Sequence, residues 1–220
     1  PTGEDPWGKV TVWGIGEVLA SHAEGIAVGE RLYGFFPMAS HVVMKPGELS
    51  ERGFTDAMPH RSELPGLYNF YARTQSEPAQ LQALEDQRCI FFPLFMTGFV
   101  IADLFLDNNW FGAQQIVIGS ASSKTGFSTA AFVRAAGFEG AIVGLTSDQN
   151  VAFSEALGCY DRVVSYSEVG SVANEPSAYI DIAGDVEVRS RLHRSLQNNA
   201  AHTLLVGATH WDQFGQSVDG

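Results

Sequence analysis

The sequence predicts an α/β protein whose second half is a doubly wound parallel sheet of the Rossmann type. From Gln114 onward, apolar strands alternate regularly with amphipathic helices. One of these strands runs into a loop of small residues, Gly119–Gly126, before a helix begins. The first ninety residues show short strands and many glycines instead. We therefore expect two domains, residues 1–92 and residues 93–220.

Short antiparallel strands are predicted for residues 9–45. Apolar and polar residues alternate over Lys9–Val12 and again around His41–Met44, and glycines separate these runs. This pattern is typical of part of a small antiparallel barrel.

Residues 46–85 contain four prolines and little periodicity, so we expect a long connection with one short helix. Tyr68, Tyr71 and Arg73 are spaced to share one face of that helix. A further helix is predicted over 93–108.

The second domain is predicted element by element from its hydrophobic periodicity. Parallel strands joined by right-handed crossovers follow from the alternation of strand and helix. Ser147 or Asp148 is expected to cap the middle helix, and Asp185 the last one. The expected strands are Gln115–Gly119, Ala141–Leu145, Arg162–Ser165, Ala178–Ile182 and Thr203–Val206, and the expected helices are Phe127–Ala136, Asn150–Leu157 and Asp185–Leu196.

Composition limits the classes of partner. The chain has 220 residues and a formal net charge of −12, which argues against a nucleic acid or an anionic membrane as its main partner. The longest apolar run, Cys89–Leu106, is interrupted by Pro93, Gly98 and Asp103, so no membrane span is expected.

The two cysteines, Cys89 and Cys159, lack metal-type spacing, and a reducing cytoplasm is the expected setting. Because the chain begins at Pro1 and ends soon after a strand, we expect it to be a fragment.

The loop Gly119–Gly126 suits a phosphate, because a strand that leads into a helix N-terminus presents free backbone N–H groups and a favourable dipole. One reading is a nucleoside-triphosphate loop, since Gly119 and Lys124-Thr125 imitate its motif, and Asp181 could hold a metal. The loop is one residue too short, however, and no Gly precedes Lys124.

The second reading is a dinucleotide site, in which Gly126 permits close packing of helix and strand. The next strand ends at Thr146-Ser147, about 20 residues further on, where an NAD-binding acid commonly sits. No acid lies at that tip, and Asp148 comes one residue later. The hydroxyl groups there favour NADP(H) as the cofactor.

Several motifs together resemble the medium-chain dehydrogenase/reductase superfamily on its zinc-free quinone and enone reductase side. The loop ASSKTG, the pattern of Leu157-Gly158, Asp161, Val163 and Tyr166, and Asp181 with Gly184 carry the resemblance. The upstream strands resemble the end of that superfamily's GroES-like barrel. GERLYGFFPMASHVV, HRSELPGLYNFYAR, GLTS and GATHWD resemble a domain-of-unknown-function branch of it.

The resemblance implies a zinc-free site, because Leu94 and Phe95 stand where zinc-dependent relatives carry a ligand cysteine. It also implies a possible homodimer, and Thr97 at the position that borders the nicotinamide. A helix threonine with no such contact is an equally open reading.

Candidate site residues follow from the motifs and from the strand ends. Tyr71 could protonate an enolate, although packing of an amphipathic helix is the simpler reading. Lys124 could reach a pyrophosphate oxygen or be a solvated surface residue, Asp181 could be a cap, and His210 follows the last strand. The predicted catalytic residues are Thr97 and Tyr71, and the predicted cofactor-binding residues are Ser120, Ala121, Ser122, Ser123, Lys124, Thr125, Gly126, Thr146, Ser147, Asn150, Tyr166, Asp181, Ala183, Gly184 and Gly207.

The resulting hypothesis is an NADPH-dependent, zinc-free oxidoreductase that reduces an activated C=C or carbonyl group of a small apolar substrate. One alternative is an inactive NADP(H)-binding sensor or auxiliary module, because no obvious proton donor stands out. A nucleoside-triphosphate binder is the third reading.

Overall fold

The computed structural model describes residues 9–207 of the chain. The chain divides into two compact units, Pro1–Pro93 and Leu94–Gly220.

The first unit contains a five-stranded antiparallel sheet with the strand order β1-β2-β5-β4-β3. Its core is formed by Ile26, Leu32, Phe54 and Tyr71. These strands fulfil the expectation of antiparallel structure, whereas closure into a GroES-like barrel stays a prediction. The strands are β1 (Thr11–Glu17), β2 (Arg31–Pro37), β3 (Pro46–Ser50), β4 (Gly53–Asp56) and β5 (Phe70–Arg73).

The prediction of a long connection over residues 46–85 was wrong, because three of these strands lie in it. The segment also contains two four-residue α-helices, α1 (Gly66–Asn69) and α2 (Ala79–Gln82), and two 3₁₀ turns. Tyr68 lies on α1 but Tyr71 and Arg73 lie on β5, so the three do not share a helical face. Since β3 is largely exposed, it lacks the apolar alternation that would have marked it as a strand.

A 23-residue helix, α3 (Glu85–Asp107), begins ahead of its predicted start at Pro93. The acidic residues Glu85 and Asp86 lie in its first turn, where they complement the helix dipole. The helix continues through Pro93 and Gly98, so the expectation that these residues interrupt the apolar run was wrong.

By length and composition alone, α3 could cross a membrane, with a mean hydropathy of 2.1 and 22% of the tested window buried. One such helix is weak evidence, since core helices of soluble proteins pass the same test.

The second unit contains a five-stranded parallel sheet with the order β10-β9-β6-β7-β8. This order corresponds to 3-2-1-4-5 of a Rossmann sheet, and the predicted doubly wound α/β arrangement is confirmed. The strands are β6 (Gln115–Ile118), β7 (Ala141–Thr146), β8 (Arg162–Ser165), β9 (Ser177–Asp181) and β10 (Ala200–Leu205), and the helices are α4 (Lys124–Ala135), α5 (Val151–Ala156) and α6 (Val186–Leu196).

Both faces of this sheet are buried, as the continuous apolar strands predict. Successive residues of β6 enter different clusters: Ile116 and Ile118 pack with Phe105 of α3, whereas Val117 packs with Leu192 of α6. The period of two along a strand therefore divides the core into two layers.

The predicted helix caps have mixed outcomes. Asp185 caps α6, because its carboxylate accepts the N–H of Val188 at 3.0 Å, as predicted. Neither Ser147 nor Asp148 caps α5 through its side chain, and a 3₁₀ turn, Asp148–Asn150, comes before that helix. That prediction was wrong because the Asp148 carboxylate is bound by Ser167 instead.

Candidate functional site

The predicted cofactor-binding residues come together at the carboxyl edge of the parallel sheet. In an open α/β sheet, ligands bind outside this edge, at the point where the strand order reverses. Here that point lies between β6 and β9. The loop 119–126 follows β6, Thr146, Ser147 and Asn150 lie at the end of β7, Tyr166 follows β8, Asp181, Ala183 and Gly184 lie at the end of β9, and Gly207 follows β10.

The loop after β6 has a fixed backbone shape. Ser120 adopts a left-handed conformation with φ = 51°, which non-glycine residues rarely adopt. Gly126 packs so closely against this turn that a Cβ atom on it would lie 2.5 Å from the Ser120 carbonyl oxygen. Close packing of the helix against the strand therefore requires glycine at position 126, which is the role that the sequence predicted for Gly126.

The N-terminus of α4 faces this loop with polar groups. The Ser123 hydroxyl caps the helix by accepting the N–H of Gly126 at 3.0 Å. Lys124 and Thr125 lie in the first turn, where N–H groups precede the helix's own hydrogen-bond ladder. Together with the helix dipole, these groups suit the oxygens of a pyrophosphate.

Two tyrosine hydroxyls form hydrogen bonds with the backbone of the loop. The Ser120 N–H donates to the Tyr166 hydroxyl at 3.0 Å, and the Tyr160 hydroxyl donates to the Ala121 carbonyl at 2.9 Å. Burial raises the pKa of Tyr160, so it remains a neutral donor. Tyr166 was predicted at this site, but Tyr160 was missed.

A third tyrosine, Tyr179 on β9, also lies beside the loop. A Cβ atom on Gly119 would lie 2.8 Å from its hydroxyl. Sequence reasoning missed it too, because it sits inside a buried strand and carries no motif.

The end of β7 is lined with small polar groups. The Thr146 hydroxyl donates to the Ser122 hydroxyl at 3.3 Å, and the Asn150 amide donates to the Ser147 hydroxyl at 3.0 Å. The contact of Thr146 connects the predicted ribose side to the predicted phosphate loop, and the contact of Asn150 stays within the ribose side.

Asp148 lies next to these residues and is exposed. Its carboxylate accepts the Ser167 hydroxyl at 2.9 Å. Hydrogen bonds from Ser165 and then Ser167 lower the pKa of Asp148.

Asp181 caps the loop that follows β9, which is the alternative that its sequence position left open, and it also forms an ion pair with Arg189 that the sequence did not reveal. Its carboxylate is fully buried and accepts both the Gly184 N–H and the Arg189 guanidinium, each at 2.8 Å. Its side-chain oxygens therefore already have partners, and contact with a cofactor stays a prediction for this residue. At the neighbouring strand end, Gly207 lies close to the Ile182 carbonyl.

The two predicted catalytic residues have different surroundings. Thr97 is half-buried on α3, next to Gly98, which packs directly on Ser128 of α4. Tyr71 belongs to the first unit, and its buried hydroxyl donates to the Phe35 carbonyl at 2.6 Å.

Burial raises the pKa of Tyr71 to about 12. For Tyr71 to protonate a substrate, it would have to release this contact. Its catalytic role stays a prediction, as does that of Thr97.

Two further predictions concern His210 and metal binding. His210 lies outside the described residues. Within 9–207, no group of three or more His, Cys, Asp or Glu side chains could hold a metal ion. Both cysteines are half-buried and unbonded to each other.

The chemistry open to this edge is the binding of a dinucleotide through backbone N–H groups and hydroxyls. The tight Gly126 packing, the left-handed Ser120 and the helix N-terminus all fit a pyrophosphate. The hydroxyl and amide groups beyond β7 fit a ribose.

A family model described as "Protein of unknown function (DUF2855)" matches residues 1–219. No curated protein matches the chain.

Among solved structures, the chain is similar to AibC, to the yhdH oxidoreductase from Salmonella enterica in complex with NADP, and to Bacillus subtilis yhfP with NAD bound. The sequence identities are 18%, 14% and 14%, and the TM-scores are 0.47, 0.45 and 0.46. The matches cover 89%, 91% and 89% of this chain but only 61%, 66% and 62% of those chains. At these identities and TM-scores, the solved structures carry no functional argument for this chain.

Proposed function

We propose that this chain, which belongs to the DUF2855 family of proteins of unknown function, binds NADP(H) and acts as a zinc-free oxidoreductase. The observation that carries the proposal is the loop 119–126, which joins β6 to α4 at the reversal point of the sheet. Sequence resemblance to the medium-chain dehydrogenase/reductase superfamily agrees with it.

The residues that would hold the cofactor are those of the carboxyl edge. Backbone N–H groups at the start of α4 would bind the pyrophosphate, with Lys124 beside it. Hydroxyl and amide groups of Thr146, Ser147 and Asn150 would bind the adenosine side. The nicotinamide supplies hydride chemistry, while the protein binds and orients it and stabilises the developing charge.

The proposed substrate is a small apolar quinone or enone, a class suggested by the resemblance alone. Thr97 is the proposed group beside the nicotinamide, where its hydroxyl would donate to the substrate carbonyl. A cytoplasmic setting and a homodimer belong to the same proposal.

A second candidate is an NADP(H)-binding module without turnover. It is favoured by the buried Tyr71 hydroxyl, whose proton is already donated to the Phe35 carbonyl and is therefore not available to a substrate. The two candidates share the cofactor and differ in catalysis.

The test is to measure thermal unfolding with NADPH, with NADH and with magnesium and ATP. We expect a dinucleotide to raise the Tm. At one hundred times its Kd, a ligand that binds only the folded chain raises the free energy of unfolding by about 2.7 kcal/mol. A shift with magnesium-ATP alone would instead support the triphosphate reading, and no shift with either dinucleotide would overturn the proposal.

Consumption of NADPH is then followed with a panel of quinones and enones. Oxidation of NADPH would support the reductase. Binding without oxidation of NADPH across the panel would support the module.

A further inference from the structure

An open cleft lies beside β8, the strand at one edge of the parallel sheet. Its lining residues come from the start of β8, from the 3₁₀ segment Tyr166–Ser171 and from α6. None of them is among the predicted cofactor-binding residues. The cleft has a volume of about 530 Å³ and is lined by Arg162, Ser167, Glu168, Gly170, Ser171 and Arg191.

The cleft extends away from the carboxyl edge of the sheet, where we place the dinucleotide. Arg162 is the first residue of β8 and Ser165 is the last. At about 3.3 Å per residue, the two ends of this strand are about 10 Å apart. Arg162 therefore lies towards the opposite edge of the sheet, and a ligand bound to it would occupy a separate site.

Hydrogen bonds to the 3₁₀ segment hold both arginines in the cleft. Arg162 donates through Nη1 to the Ser171 carbonyl and through Nη2 to the Ser171 hydroxyl, each at 2.9 Å. Arg191 donates through Nη2 to the Ser167 carbonyl, also at 2.9 Å. Since a guanidinium has five N–H groups, these bonds position each side chain and leave further donors for a ligand. Less side-chain entropy is then lost on binding.

The positive charge of these two arginines is not balanced by a carboxylate of residues 9–207. Glu168 lines the same cleft, but it forms no ion pair with Arg162 or Arg191, although the chain has a formal net charge of −12. Two like charges in one cleft repel each other, and a bound dianion would remove this repulsion. Six other arginines are each paired with a carboxylate, namely Arg31, Arg61, Arg73, Arg88, Arg134 and Arg189.

The lining residues also indicate which kind of anion would fit. The planar fork of a guanidinium matches the oxygens of a phosphate group, which carries about −1.5 to −2 charges as a monoester at neutral pH. The volume falls within the range of about 300–1,000 Å³ that is usual for small-molecule sites, so it offers room for more than a phosphate. No lining side chain is apolar or aromatic. The rest of the ligand should therefore be polar, and the Glu168 carboxylate suits the hydroxyl groups of a sugar.

We propose that this cleft binds a phosphorylated sugar or polyol. Arg162 and Arg191 bind the phosphate group, and Glu168 accepts hydrogen bonds from hydroxyl groups in the rest of the ligand. The site is distinct from the loop 119–126, and the inference does not depend on the proposed function.

The experiment measures, by calorimetry, the binding of glucose 6-phosphate, glycerol 3-phosphate, inorganic phosphate and unphosphorylated glucose to the intact chain. We expect the two phosphorylated compounds to bind more tightly than inorganic phosphate, and glucose to bind least. Arg162→Gln and Arg191→Gln should each weaken the binding of glucose 6-phosphate about tenfold, because each removes charge-assisted hydrogen bonds. Glu168→Ala should lower the affinity for glucose 6-phosphate relative to that for inorganic phosphate.

The matched control variant is Arg194→Gln. Arg194 also lies on α6 and forms no ion pair within residues 9–207, but it does not line the cleft. The substitution changes the net charge by the same amount, and it should leave the affinity for glucose 6-phosphate as in the wild type. An equal loss of affinity in Arg194→Gln would mean that net charge alone is responsible, and would overturn the inference.

Amide hydrogen exchange of the wild type locates the bound phosphate without any substitution. With saturating glucose 6-phosphate, exchange should slow at 162–171 and 186–195 and remain unchanged at 119–126. Slowing at 119–126 instead would mean that the phosphate binds the loop, and would overturn the inference. So would the absence of binding by every phosphorylated probe at millimolar concentration. Equal affinities for inorganic phosphate, glycerol 3-phosphate and glucose 6-phosphate would overturn the assignment of the ligand class.

Discussion

A single missing Cβ atom allows the phosphate loop and its helix to approach each other. Gly126 lies so close to the Ser120 carbonyl that a Cβ atom at this position would clash with its oxygen. The Ser123 hydroxyl binds the N–H of the same glycine, so two local features fix the start of α4.

Replacing this glycine should therefore disturb both stability and binding. We expect Gly126→Ala to destabilise the fold by about 1–3 kcal/mol, the usual cost of overpacking. It should also abolish the rise in Tm that we expect NADPH to give the wild type. Gly170→Ala is the control, because a Cβ atom there meets nothing within 4 Å. Equal behaviour of the two variants in thermal unfolding would contradict the close packing.

A second single-residue effect concerns pH. His193 contacts the Thr203 hydroxyl at 2.8 Å, and burial, followed by the charge of Arg189, lowers its pKa. Protonation is thus less favourable in the folded chain than in the unfolded one, whose histidine titrates near 6.5. This contribution to stability is complete above about pH 6.5 and is lost as the pH falls below it.

We expect His193→Gln to lose less stability than the wild type between pH 7.5 and pH 5, as measured by urea unfolding. Parallel losses in the two proteins would show that His193 does not contribute.

The site residues that could be predicted are those whose role is set by nearby sequence. Gly126 and Tyr166 follow from the loop and from a strand end. Tyr160 could not be found this way, because its partner Ala121 lies 39 residues earlier and the two meet only after β6, β7 and β8 have assembled. The position of Asp181 at the end of its strand was predicted correctly. Its partner Arg189 was not predicted, because it lies on α6, outside the motif that contains Asp181.

Among the elements, the connection from β9 to α6 depends on that ion pair. Asp181 is fully buried, and the Arg189 side chain is only 10% exposed. Removing one partner leaves the other charge buried without compensation.

We expect Asp181→Asn to lower the free energy of unfolding by about 3–5 kcal/mol. The double variant Asp181→Asn/Arg189→Met should recover part of that loss, because the uncompensated charge is gone. Chemical denaturation measures both. A single variant as stable as the wild type would contradict this account.

Element prediction succeeded where burial is two-sided and failed where it is not. The strands β6 to β9 are mostly buried, and each of their ends lies within one residue of the predicted bound. The exposed strand β3 has no such signal. The predicted start of α3 was too late, because proline is common in the first turn of a helix and Pro93 was assigned to that turn. In the structure Pro93 lies inside the helix.

For the whole molecule, the two units should respond differently to a coenzyme. Binding at the carboxyl edge raises the free energy of local opening only for the segments that hold the ligand. With saturating NADPH, we expect slower amide exchange at 119–126, 146–150 and 181–184. Exchange over β1 and β2 should remain unchanged, as followed by mass spectrometry. Slowing confined to the first unit would contradict a site at the edge of the parallel sheet.

The contacts from Tyr160 and Tyr166 to the loop also bear on the speed of recognition. Both are contacts of the chain with itself, so we expect folding alone to order the loop before the proposed dinucleotide binds. Little conformational entropy is then lost on association, because the ordering took place during folding. The association rate should depend on diffusion and orientation, and it should show no slow isomerisation phase.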